Sequence, residues 1–137
     1  MRKLVLIEDD DDDIYFFKLA CQQVTLDIEL TVLRNGLEFI DYVQKNTVLN
    51  TVFLLDLNMP KLSGFEALKK ISNHPEFNQM VVIIYTTSSR DKDMKFAYEL
   101  GVKSYLLKPN SMLGIQKLLN NVTQYWFEVN AFSEKAS

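Results

Sequence analysis

Short apolar runs alternate with longer amphipathic stretches along this chain. The runs are Leu4-Val5-Leu6-Ile7, Leu30-Thr31-Val32-Leu33, Val52-Phe53-Leu54-Leu55, Val81-Val82-Ile83-Ile84-Tyr85 and residues 102–107. All but the second are nearly continuous and β-branched or aliphatic, the mark of strands buried on both faces of a parallel sheet. The second is less pure and is placed at an edge. Helical spacing fills the gaps, over residues 14–23, 36–45, 64–72, 91–100 and 111–130. The last stretch carries Ile115, Leu118, Leu119, Val122, Trp126 and Val129, whose spacings of three or four predict one apolar stripe.

Punctuation agrees with these bounds. Asn35-Gly36 separates the second strand from its helix, and Gly101 ends the fourth helix just before the fifth strand. Pro60 and Pro109 each fall shortly after a strand, where neither removes a donor from a central ladder. The pattern predicts an α/β domain, (βα)5, with helices on both faces of a five-stranded parallel doubly wound sheet. It assigns residues 1–130 to a single domain and 131–137 to a short C-terminal tail, with no output domain.

Composition changes this picture only where charge is concerned. Of 18 acids, six are consecutive, Glu8 to Asp13; without them 12 acids would face 15 bases, so the net charge of −3 is a local feature. A nucleic-acid partner calls for a basic stripe, and none is visible. The six acids follow Met1-Arg2-Lys3-Leu4-Val5-Leu6-Ile7 at once and leave no room for a signal peptide. No later apolar run approaches the roughly 20 residues of a membrane helix. One cysteine, Cys21, excludes an internal disulfide and fits a reducing compartment. The expectation is a soluble, cytoplasmic protein without nucleic-acid or membrane partners.

The candidate chemistry lies where the strands end. In open parallel sheets ligands bind beyond the carboxyl ends of the strands, where strand order reverses; for five βα units the common, flavodoxin-like order is 2-1-3-4-5. Glu8 and Asp9 follow the first strand, Asp56 the third, Thr86 ends the fourth, and Lys108-Pro109 follows the fifth. In that order four segments bring polar groups to one crevice. Two unit charges 4 Å apart repel by about 4 kcal/mol at an effective dielectric near 20, so three clustered carboxylates call for a counter-charge. Hard oxygen donors suit Mg2+, and Lys108 supplies a second cation. A metal, an ammonium and a hydroxyl around one carboxylate are also what a phosphoryl group requires, with Asp56 as its acceptor.

Those pieces, Leu6-Ile7-Glu8-Asp9-Asp10, Leu54-Leu55-Asp56-Leu57-Asn58-Met59-Pro60 with Gly64 beyond, Thr86-Thr87-Ser88 and Leu107-Lys108-Pro109, resemble the receiver domain of bacterial two-component response regulators. The bacterial chemotaxis regulator of that family is itself the standard instance of the 2-1-3-4-5 order, so the strand order comes with the resemblance rather than from the spacing. The resemblance runs from about residue 4 to about residue 127. It implies that Asp56 is the phosphoacceptor and that Asp9 and Asp56 coordinate Mg2+ (or Mn2+) directly. Glu8 would act through water, and the main-chain carbonyl of Asn58 would complete the set. Thr86 and Lys108 would each meet a phosphoryl oxygen, Tyr105 would be the aromatic switch on the fifth strand, and Pro109 would follow a cis bond. A sensor histidine kinase or histidine phosphotransfer protein would supply the phosphoryl group, and the domain would not be an enzyme beyond assisting its own phosphorylation and dephosphorylation. The Thr86-Thr87-Ser88-Ser89 run, the connection 73–79 and the tail Tyr125-Trp126-Phe127 resemble stand-alone regulators partnered with phytochrome-type kinases.

Blander readings apply elsewhere. Asp11, Asp12 and Asp13 read as a solvated charge block at a helix N-terminus. Cys21 reads as inert core and His74, beside Pro75, as a surface residue. The aromatic tail exceeds what one stripe buries, leaving a ring for a homodimer or partner surface. A haloacid-dehalogenase-type phosphatase would want an acid where Asn58 stands, and a flavodoxin-like cofactor carrier would want a phosphate-cradling loop where the six acids stand.

Overall fold

A computed structural model describes residues 2–24 and 27–132. Five strands, β1 (Arg2–Ile7), β2 (Ile28–Leu33), β3 (Thr51–Leu55), β4 (Val81–Thr86) and β5 (Ser104–Leu107), pair in parallel in the order 2-1-3-4-5. Five helices, α1 (Asp11–Gln23), α2 (Gly36–Lys45), α3 (Gly64–Ile71), α4 (Asp91–Glu99) and α5 (Met112–Thr123), cover its two faces. The chain therefore has the doubly wound flavodoxin-like fold expected of it. Residues 133–137, most of the expected tail, lie outside the described residues.

Period-two alternation divides the core. Leu4, Leu6, Val52, Leu54, Ile83 and Tyr85 point to one face, against Phe17 of α1 and Leu119 of α5. Their neighbours Val5, Ile7, Phe53, Leu55, Val82 and Ile84 point to the other, with Phe39 of α2, Leu68 of α3 and Ala97 of α4. β1, β3 and β4 are buried on both sides, as their uninterrupted apolar sequences require. β5 is the edge strand that the 2-1-3-4-5 order makes it, and it departs from expectation in its burial: it is only half-buried, with Leu107 exposed. An edge strand has a neighbour on one side only, so an apolar sequence there does not secure full burial.

Polar caps set where helices start. The Asp10 carboxylate accepts the Asp13 N–H at 2.9 Å, so α1 begins at Asp11, three residues before the apolar pattern does. Asn35 caps α2, Ser111 caps α5, and Ser63 forms a reciprocal capping box with Glu66 on α3. Gly101, at φ +105°, turns the chain from α4 toward β5 with backbone torsions that favour glycine.

The long C-terminal helix is not uniform. α5 stops at Thr123, whose hydroxyl donates to the Leu119 carbonyl at 2.6 Å, and a π-helical segment, Gln124–Val129, follows. Its wider turn changes the angular spacing of the later side chains and leaves Val129 off the apolar stripe. Trp126 and Phe127 pack against the α1/α5 core, whereas Tyr125 and Val129 are exposed.

Candidate functional site

The site begins as a continuation of the sheet. Ile7 and Leu55 are register partners, and Asp56 N–H donates to the Ile7 carbonyl at 3.1 Å, so Glu8 and Asp56 leave adjacent strands side by side. Glu8 N–H donates to Leu33 O at 2.9 Å, and Lys108 N–H to Thr86 O at 2.8 Å. These bonds extend the ladder one residue beyond β1, β3 and β5, so the backbone that carries the polar groups is held by the sheet.

One carboxylate oxygen each from Glu8, Asp9 and Asp56 lies within 4.8 Å of the others. Glu8 and Asp56 are buried and Asp9 is half-buried, so repulsion here is screened less than at a surface. Glu8 Oε2 accepts the N–H groups of Asp9 (3.1 Å) and Asp10 (3.2 Å). Burial nevertheless pushes the Glu8 carboxyl up to about 7, and Asp56 adds to the rise against the opposing pull of Lys108.

Lys108 balances this cluster. Its ammonium lies against Glu8 Oε1, 2.8 Å from Asp13 Oδ2 and 3.6 Å from Asp56 Oδ2. Burial alone would favour its neutral form, but Asp13, Glu8 and Asp56 outweigh burial and hold it above the ordinary lysine range. The oxygen-only donor set of Glu8, Asp9 and Asp56 is the chemistry that a hard divalent cation fits.

The remaining residues surround that centre. Thr86 is buried at the end of β4, and its Oγ1 accepts the Ser88 N–H at 3.4 Å. The Tyr105 hydroxyl donates to the Ser88 carbonyl at 2.9 Å, which ties β5 to the loop after β4. Asn58 turns its side chain outward, and its N–H approaches Asp56 Oδ1 at 3.5 Å. That loop is pinned from below by Gly64: a Cβ there would lie 2.3 Å from the Asp56 carbonyl oxygen.

Glu8, Asp9, Asp56 and Lys108 thus converge as the sequence implies, with Thr86 and Tyr105 linked through Ser88. Two expectations are corrected. The described residues contain no cis peptide, so Lys108–Pro109 is trans, the intrinsically preferred isomer. The acids after Asp10 are not simply solvated: Asp13 pairs with Lys108, and Asp11 with Arg34, which also donates to the Asp9 carbonyl at 3.3 Å. The overlooked signal was Asp10 as a cap, which starts the helix early and swings its third residue over the strand ends.

A parallel sheet with acids beyond its central strands and a buried lysine beyond its edge is the arrangement of a receiver-type domain. Residues 4–122 match the family model of the response regulator receiver domain, and the chain belongs to that family of two-component signalling domains. It is 32% identical over 130 residues to response regulator Rcp1 of Synechocystis sp., covering 91% of this chain and 88% of that protein. The crystal structure of the Mn2+-bound form of Rcp1 superposes with a TM-score of 0.81 at 30% identity, over 97% of this chain and 99% of that one. The phosphorylated cyanobacterial phytochrome response regulator RcpA gives a TM-score of 0.85 at 25% identity, over the same shares of the two chains. No helix among the described residues is long and apolar enough to cross a membrane.

Proposed function

We propose that this protein is a single-domain cytoplasmic response regulator. It takes a phosphoryl group onto Asp56 from a sensor histidine kinase or histidine phosphotransfer protein and signals by a change of surface. The observation that carries this reading is the Lys108 ammonium set among Glu8, Asp13 and Asp56 at the end of the sheet. Asp9, Asp56 and the Asn58 main-chain carbonyl would hold Mg2+ or Mn2+, with Glu8 acting through water. When bound, that ion supplies positive charge against the phosphoryl oxygens. The metal and phosphoryl states named for Rcp1 and RcpA support the assignment by similarity.

Asp56 attacks phosphorus in line: its oxygen forms the new P–O bond as the P–N bond to the donor imidazole breaks and the imidazole nitrogen keeps the electron pair. Lys108 takes up charge on one phosphoryl oxygen and the Thr86 hydroxyl donates to another. Turning Thr86 toward the phosphoryl group withdraws it from the Ser88 N–H, and Tyr105 follows through its bond to the Ser88 carbonyl. A partner that prefers one arrangement of this loop reads the state. Asn58 stands where a haloacid-dehalogenase-type phosphatase needs its general acid, so the chain does not hydrolyse generic phosphate esters by that route.

Incubation with labelled acetyl phosphate and Mg2+ tests the assignment. Wild-type protein should incorporate acid-labile phosphate and Asp56→Asn should incorporate none; equal labelling of the two would overturn it.

A further inference from the structure

Lys108 is asymmetrically placed. Its 2.8 Å contact to Asp13 is a full charge-assisted hydrogen bond, whereas 3.6 Å to Asp56 is beyond hydrogen-bond reach. Its two close partners differ in kind. The Glu8 side chain is 1% exposed and cannot be left unpaired without a heavy desolvation cost; the Asp13 side chain is 44% exposed, and water can take the place of the ammonium. The Asp13 backbone is fixed in turn, since its N–H is held by the Asp10 cap at 2.9 Å. On the Asp13 side of the pair opens a cleft of about 330 Å3 lined by Tyr85, Pro109, Met112 and Ile115 among others, so water reaches the contact that Lys108 would give up.

We propose that Asp13 is a positioning residue that holds Lys108 back from Asp56 in the unmodified protein and yields it when a phosphoryl group arrives. The inference rests on Asp56 being the phosphoacceptor. A phosphoryl oxygen needs the ammonium at about 2.8 Å, and the exposed Asp13 contact is the one that can be given up. Asp13 therefore sets how readily the modified state forms without touching the phosphoryl group itself.

Beryllofluoride in saturating Mg2+, followed by 19F NMR, measures this directly as a binding constant. Asp13→Asn should bind it about fivefold more tightly, the size of one partly exposed ion pair. Asp12→Asn, which removes the same charge from an exposed neighbour, should change affinity by less than about twofold. In a Lys108→Ala background the Asp13→Asn gain should fall below about twofold, as expected once the shared partner is gone. In metal-free protein the Lys108 15Nζ resonance should move on Asp13→Asn and stay in place on Asp12→Asn. Unchanged or weaker binding by Asp13→Asn, or a gain that survives in Lys108→Ala, overturns the positioning role while leaving the phosphoacceptor reading standing. Failure of the wild-type protein to bind beryllofluoride overturns both.

Discussion

Glu8 carries electrostatic strain at the residue scale, because burial pushes its carboxyl up even with Lys108 beside it. Its ordinary value of 4.5 rises to about 7 in the folded protein. Between these values the folded state keeps a proton that the unfolded chain has lost. Metal-free stability from this group is therefore full below 4.5, falls as pH rises toward 7, and levels off above it. Glu8→Gln removes the titrating group, so its urea midpoint should fall less than that of wild type between about pH 5 and about pH 8. Parallel pH profiles for the two proteins would show that Glu8 is not the group under strain. Most of this cluster was legible, since Glu8, Asp9, Asp56 and Lys108 each stand next to an unmistakable strand. Asp13 was not, because its partner is 95 residues away and a run of five aspartates reads the same whether solvated or paired.

Among elements, those with a single environment along their length were read well. α2 occupies the predicted residues, and β1, β3 and β4 differ from expectation by a residue or two at their ends. Elements whose environment changes were misread. β5 has apolar residues but only one neighbouring strand, and the last helix carries a regular stripe up to Thr123 and then changes pitch. The Asp10 cap likewise set the start of α1 against the apolar pattern. The junction of β3 and α3 is where an element most constrains the site. Gly64 N–H donates to Leu57 O at 3.1 Å, and a methyl group on Gly64 would meet backbone at 2.3 and 2.8 Å, with no flexible side chain to yield. Gly64→Ala should cost about 1–3 kcal/mol in urea unfolding, and should also slow phosphate incorporation by shifting the Asp56 backbone. An unchanged unfolding midpoint would mean that α3 is free to slide away from the loop.

Across the whole molecule the fold separates its charged crevice from its aromatic end. All the site residues lie at the carboxyl ends of the strands. The π-helical segment lies near the opposite end, where Arg2, the first residue of β1, pairs with Glu128 at 3.4 Å. A six-residue strand spans roughly 16 Å at about 3.3 Å per residue, and Trp126, two residues before Glu128, packs against the α1/α5 core. Filling the crevice with a cation and perturbing this tryptophan are therefore separable events. Mg2+ binds the folded protein through carboxylates that the unfolded chain does not bring together. At about a hundred times its Kd it should raise the thermal midpoint by on the order of 10 °C. The same titration should leave the emission maximum and intensity of Trp126, the chain's one tryptophan, essentially unchanged. Strong quenching in step with the thermal shift would show that the cation acts at the π-helical end or through it, and an unmoved midpoint would show that the three acids do not share an ion.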